Sequence, residues 1–309
     1  DKYLKKILPN ASSGFLYKML RKKNITCNKA KMTGKEQLKK GDRIQIFFSE
    51  ETFMKFMQDP EKLKNEFEQL KTLPLKGLRV VYEDEDILIA DKTYNMLSQK
   101  AKDHDISANE YLLGYLIRSG SLELEGFASF RPSVCNRLDR NTTGLLLMGK
   151  SLNGSQTLSQ ALKDRTIRKF YRALVSGEIK ESAHLSGYLR KDEKTNQVEI
   201  LEKEADNASY IETAYEPVAY KNGITELEIH LITGRTHQIR AHLAYIGYPI
   251  VGDPLYGRKN DEKIASKGQA LHAYSLSLIH PDNRKRRTFY APIDDYFKKL
   301  LIYFFKTNI

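Results

Sequence analysis

One carboxylate stands between two cations in "CNRLDRNTTGLLLMGKS", residues 135–151: Asp139, flanked by Arg137 and Arg140. Cations close to a carboxylate favour its ionised form. An ionised carboxylate suits a nucleophile or an electrostatic anchor better than a general acid. The same arrangement also serves as a plain surface ion-pair network, and this stretch alone does not separate the two. A second dense stretch is "TGRTHQIRAHLAYIGYPIVGDPLYG", residues 233–257, which gathers Arg235, His237, Gln238, Arg240 and His242. His237 and His242 lie five apart with no Glu between them, which is not the spacing of a helical zinc pair. Cys27 and Cys135 are the only cysteines, too few for a zinc site. No metal is expected. A two-carboxylate glycoside hydrolase needs a second placed acid. Asp253 is the only nearby candidate, and its setting "VGDPLYG" reads as a turn.

The elements that must position these residues are legible in outline. "LRVVYEDEDILIADK" reads as two strands joined at Glu83-Asp84-Glu85. "SANEYLLGYLIRSG" reads as a helix capped by Ser107 and ending near Gly120. Asp139 falls in a loop that runs into the apolar strand "GLLLMGK". A helix over "LNGSQTLSQALKDRT" follows, then the strands "IRKFYRALVSGEI" and "TELEIHLITG". "THQIRAHLAYIG" has helical spacing, with Thr236 and Arg240 sharing a face. Strands and helices without regular βαβ alternation predict an α+β fold on a largely antiparallel mixed sheet.

The front of the chain differs in kind. Residues 1–50 hold 13 Lys and Arg against 4 Asp and Glu, a net of +9 out of the chain's +12. Two short helices, "KYLKKIL" and "SSGFLYKMLRKKNI", precede two short strands, "ITCNKAKMT" and "DRIQIFF". Ser12 or Ser13 can cap the second helix. On it Lys18, Arg21 and Lys22 share one face, while Phe15, Leu16 and Leu20 can cover another. This predicts a small α/β unit with a basic face suited to a polyanion. Residues 51–77, charged, helical in pattern and interrupted by Pro60 and Pro74, read as a linker, and residues 78–309 as the larger domain that carries both dense stretches. No apolar stretch reaches the length of a membrane span, so no membrane partner is expected. Two distant thiols suit a reducing, cytoplasmic protein. The chain begins at Asp1 without a methionine; a few preceding residues are expected, and no signal peptide is legible.

Four motifs, in order, carry a family resemblance. "NRLDRNTTG" resembles the signature around the catalytic aspartate of RluA-type pseudouridine synthases, and "GRTHQIRAHL" with "GYPIVGDPLYG" their second signature. "RKFYRALVSG" is similar to the segment bearing the family's active-site tyrosine, and "LHAYSLSLIHP" to its C-terminal strand. The family often has His where Asn136 stands, although some members carry Asn. The N-terminal unit resembles an alpha-L RNA-binding domain. The resemblance implies isomerisation of uridine to pseudouridine in RNA, most of all ribosomal RNA of the large subunit. A transfer RNA substrate, or a non-catalytic RNA-binding or ribosome-assembly role, are the alternatives. The reaction is redox-neutral and needs no cofactor, and a monomer is expected. The resemblance makes Asp139 the essential carboxylate, Arg240 its partner, and Tyr171 the residue that stacks on the base. Arg137 would fill the space left by the extruded base. Lys18, Arg21 and Lys22 are the expected RNA contacts of the front unit. Arg140 stays open between a phosphate contact and a local ion pair.

Overall fold

Alternation along one strand sets the architecture. In β7 (Thr143–Gly149) every residue is buried. Leu146 and Met148 enter one apolar core, and Leu145 and Leu147 enter another on the opposite face. β5 (Ile87–Lys92) divides the same way, Leu88 and Ala90 against Ile87 and Ile89. A strand covered on both faces needs a continuous apolar run, which is why "GLLLMGK" lacks a polar alternate. The computed structural model describes residues 1–57, 59–192, 195, 197–259 and 268–306.

The large sheet also holds β4 (Leu78–Glu83), β6 (Ser133–Val134), β8 (Arg168–Ser176), β9 (Ala183–Lys191), β10 (Val198–Leu201), β11 (Ala208–Lys221), β12 (Ile224–Leu231), β13 (Leu271–Ile279) and β14 (Arg286–Tyr290). Its order is β10-β9-β11-β12-β8-β13-β7-β5-β4, with β14 paired to β13 and β6 to β7. Every pair is antiparallel except β13 with β7. With the helices this makes the α+β class expected from the sequence. The parallel pair is tight at Gly144, whose φ is +108° and whose missing side chain leaves room for the Ala273 backbone. That contact explains the glycine at the end of "NRLDRNTTG".

The front unit contains α1 (Lys2–Ile7), α2 (Ser13–Arg21), β1 (Ile25–Cys27), β2 (Ala30–Lys31), β3 (Ile44–Ile46) and α3 (Glu50–Phe56). Its three strands pair antiparallel in the order β2-β1-β3. Ser12 caps α2 by accepting from Phe15 N at 3.2 Å. Leu4, Leu8, Leu16, Leu20 and Ile25 form its core, with Phe53 and Phe56 packed against them.

Residues 51–77 do not form the expected linker. α3 closes the front core, and α4 (Pro60–Thr72) belongs to the large one. Leu63, Phe67 and Leu70, at i, i+4 and i+7, bury one face of α4 beside α5 (Ala108–Arg118) and α6 (Leu124–Ser129). Phe67 meets Phe127 edge-on, ring centroids 5.6 Å apart. A high charge content hid this amphipathic stripe. α7 (Leu152–Lys163), α8 (Gln238–Tyr245) and α9 (Asp295–Phe305) complete the helices among the described residues. None is long and apolar enough to cross a membrane.

Candidate active site

Asp139 lies in the loop between β6 and β7, and that loop is fastened at several points. Asn136 donates to Leu145 O (3.2 Å) and accepts from Leu147 N (2.7 Å), tying the loop to β7. Ser98 Oγ donates to Leu138 O (2.8 Å) and accepts from Leu138 N (2.9 Å). Thr142 N donates to Asp139 O at 3.0 Å. Beneath them Lys92, with no exposed surface, directs Nζ at four carbonyls: Thr93 (3.0 Å), Met96 (3.0 Å), Asp139 (3.3 Å) and Arg140 (3.1 Å). Burial pulls this ammonium down to about 7, with the nearby Asp139 carboxylate opposing the fall.

The cation that meets Asp139 is not a sequence neighbour. Arg137 and Arg140 are exposed, and Arg240, 101 residues away, donates Nη1 to Asp139 Oδ2 at 2.9 Å. Arg240 sits on α8 and is 4% exposed. Its other edge is gripped by Asp253, from Nε to Oδ2 at 2.6 Å and from Nη2 to Oδ1 at 2.8 Å. Burial alone would lower the guanidinium's pKa; the bonds and charge of Asp253, then those of Asp139, outweigh it and raise it. Asp253 also accepts from Leu255 N (2.9 Å) and Tyr256 N (3.1 Å). The turn "GDPLYG" is therefore a built anchor for Arg240, and Asp253 is not a free second acid.

α8 is itself held at its start. Gln238 accepts from Thr233 Oγ1 (2.8 Å) and Arg235 N (3.1 Å), and donates to Glu212 O (3.0 Å) and Thr213 Oγ1 (2.9 Å). The helix begins at Gln238, so Thr236 lies outside it. His237 precedes it in the left-handed conformation, φ 54°. Its Nε2 stands 4.0 Å from Asp139 Oδ1, and its Nδ1 lies 3.2 Å from Tyr256 OH. Burial lowers the His237 pKa despite Asp139. His242, turned away to Thr213, is pushed down to about 4 by burial.

Asp139, Arg240 and Tyr171 line one pocket, together with Arg137, Arg235 and His237. Tyr171 enters from β8, paired with Ile229 of β12, and is 5% exposed. Burial, and then the Asp139 charge, raise its phenol pKa, so it stays protonated at neutral pH. The pocket thus offers a carboxylate held by one oxygen, a neutral phenol and exposed cations at its edge. Lys18 and Arg21 on α2, and Lys22 just after it, are exposed and do not line the pocket. Asp253 and Lys92 were missed as site residues: the first looked like turn chemistry, and an isolated Lys ordinarily signals surface.

Residues 86–245 match the family of RNA pseudouridylate synthases, over half of the chain. The protein belongs to this family, as an isomerase acting on RNA. Within it the chain is of the RluA type. It is 31% identical to an RNA pseudouridine synthase of Synechocystis sp., across 98% of this chain and 88% of that one. It is 29% identical to ribosomal large subunit pseudouridine synthase C of Vibrio parahaemolyticus (100% and 93% covered) and 28% identical to ribosomal large subunit pseudouridine synthase D of Nitrosomonas europaea (97% and 83%). The solved structure of human RNA pseudouridylate synthase domain containing 4 shares the fold, with a TM-score of 0.58 at 18% identity, covering 77% of this chain and 96% of that one.

Proposed function

We propose that this enzyme converts uridine to pseudouridine in large-subunit ribosomal RNA, with Asp139 as the essential carboxylate. The observation that carries the catalytic reading is the 2.9 Å contact of Arg240 Nη1 with Asp139 Oδ2 inside the pocket that Tyr171 enters. Attack on the sugar carbon and removal of a sugar proton both need an ionised carboxylate with one oxygen available. Arg240 occupies Oδ2 and leaves Oδ1 toward His237. The bond from ribose to ring nitrogen breaks, the uracil turns against Tyr171, and a carbon–carbon bond forms to the same ribose. Tyr171, protonated and buried, stacks on the base and relays the ring proton. Arg137, exposed at the edge, takes the space of the extruded base, offsetting an unstacking cost of roughly a few kcal/mol. The front unit grips RNA through Lys18, Arg21 and Lys22. The ribosomal substrate is supported by the names of the Vibrio and Nitrosomonas relatives. The protein acts as a cytoplasmic monomer.

Mapping pseudouridine in ribosomal and transfer RNA from cells lacking the protein tests the substrate. A site lost from large-subunit RNA is expected; loss confined to transfer RNA overturns that assignment. Asp139→Asn should abolish tritium release from 5-tritiated uridine in the target while RNA binding persists. Turnover within about tenfold of the parent would remove Asp139 from its catalytic role.

A further inference from the structure

Among the described residues, Lys169 is a half-buried cation without a counter-ion. It stands on β8 two residues before Tyr171, so the two side chains leave the same face of the strand. Lys169 Nζ lies against the Gly234 backbone: a side chain at Gly234 would begin 3.2 Å from it. Gly234 opens the turn that carries Arg235 to the pocket edge and leads into α8. Several other buried or half-buried cations have partners. Lys150 meets Glu83 at 2.5 Å, Arg172 meets Glu226 at 3.1 Å, Arg240 meets two aspartates, and Lys92 has its carbonyls. Among the described residues Lys169 has no such carboxylate or carbonyl.

An unpaired, desolvated charge costs the fold stability. Burial, and then the charge of Arg165, itself a cation 3.6 Å from Glu212, lower the Lys169 pKa to about 8. The ammonium still predominates at neutral pH. A cation held this way, against the turn that leads to the pocket edge, is open to an anion from outside.

We propose that Lys169 binds a backbone phosphate of the RNA strand next to the uridine seated between Asp139 and Tyr171. This rests on the reading of that pocket as the uridine site. The phosphodiester supplies the missing counter-charge, beside the turn that carries Arg235. Binding thereby gains the contact that the free protein lacks, and the position of the phosphate fixes how far the nucleotide can enter the pocket.

Affinity for a 20-nucleotide oligouridylate, measured across a salt series, tests this without knowledge of the natural target. For Lys169→Met the slope of log affinity against log salt should become shallower by about 0.7, the single-strand value for one phosphate contact. Affinity at low salt should fall about tenfold. The melting temperature of the free variant should be equal or higher, because an unpaired charge has been removed. Lys169→Arg should restore the parent slope. An unchanged slope in the Met variant overturns the proposal, and a lowered melting temperature with that unchanged slope would assign Lys169 to the fold. Tritium release by the parent on total RNA reads the catalytic assignment separately, so failure of one does not imitate failure of the other.

Discussion

Replacing Asp253 by Asn should damage both stability and turnover, although Asp253 does not face the reacting atoms. Four groups converge on this carboxylate, and all four donate: Arg240 Nε at 2.6 Å, Arg240 Nη2 at 2.8 Å, Leu255 N at 2.9 Å and Tyr256 N at 3.1 Å. An asparagine keeps one oxygen and presents an NH2 where the other stood. In one orientation that NH2 opposes Arg240 Nε; in the other it opposes the remaining three donors. Neither satisfies the set. Breaking a buried ion pair from one side costs about 3–5 kcal/mol. Here one oxygen survives, and Asp139 still supplies charge to the same guanidinium, so the expected loss is about 3 kcal/mol. For a unit of this size each kcal/mol shifts melting by about 2–4 °C, giving a drop of roughly 6–12 °C. Arg240 then holds Asp139 less well, and a displacement near 1 Å costs about 10²-fold in turnover. Thermal melts and tritium release at saturating RNA measure the two effects, with RNA affinity little changed. Adding Arg240→Met should recover part of the stability, by removing the stranded cation, and none of the turnover. A single variant melting within about 1 °C of the parent would refute the anchor argument.

Tyr171→Phe keeps the ring and loses the hydroxyl, so turnover should fall by about 10²-fold with affinity unchanged; an equal fall in both would make Tyr171 a docking residue alone. Lys92→Met removes a donor from four carbonyls, of which Asp139 O keeps Thr142 N and Arg140 O keeps Met96 N. The cost is about 1–3 kcal/mol for each of Thr93 O and Met96 O left unsatisfied, so melting and turnover should both drop and amide exchange at 138–142 should quicken. Unchanged exchange there would show that Lys92 does not fasten the Asp139 loop. Removing residues 1–57 should reduce the salt slope of RNA binding by roughly 2–3 if Lys18, Arg21 and Lys22 each touch a phosphate, while turnover at saturating RNA changes much less. Equal slopes would mean that this basic face is only solvated surface.

The residues expected at the site were legible through motifs that match a known family, and the elements around them through local pattern. "NRLDRNTTG" places a carboxylate just before a buried strand, and the glycine that ends it is required by the close Ala273 backbone. The strands on either side of Glu83-Asp84-Glu85 and the helix after Ser107 follow from alternation and capping, both short-range signals. What connects the site is long-range and left no local mark; the pairing of Arg240 with Asp139 was legible only through the family resemblance. The adjacent arginines made the obvious ion pair for Asp139, yet the backbone leaves both exposed and brings in Arg240 from 101 residues away. Nothing in "ILIADK" distinguishes Lys92 from a surface lysine at a strand end. Only the folded loop supplies the carbonyls that make a buried ammonium tolerable. Asp253 shows the same limit from the other side: a turn motif accounted for its presence, and its second use became visible only once α8 had brought a guanidinium against it. Sequence motifs thus pointed to the groups proposed to do the chemistry. Tertiary contact decides their charge and orientation, and Asp253, Lys92 and Arg240 set the surroundings of Asp139 through that contact.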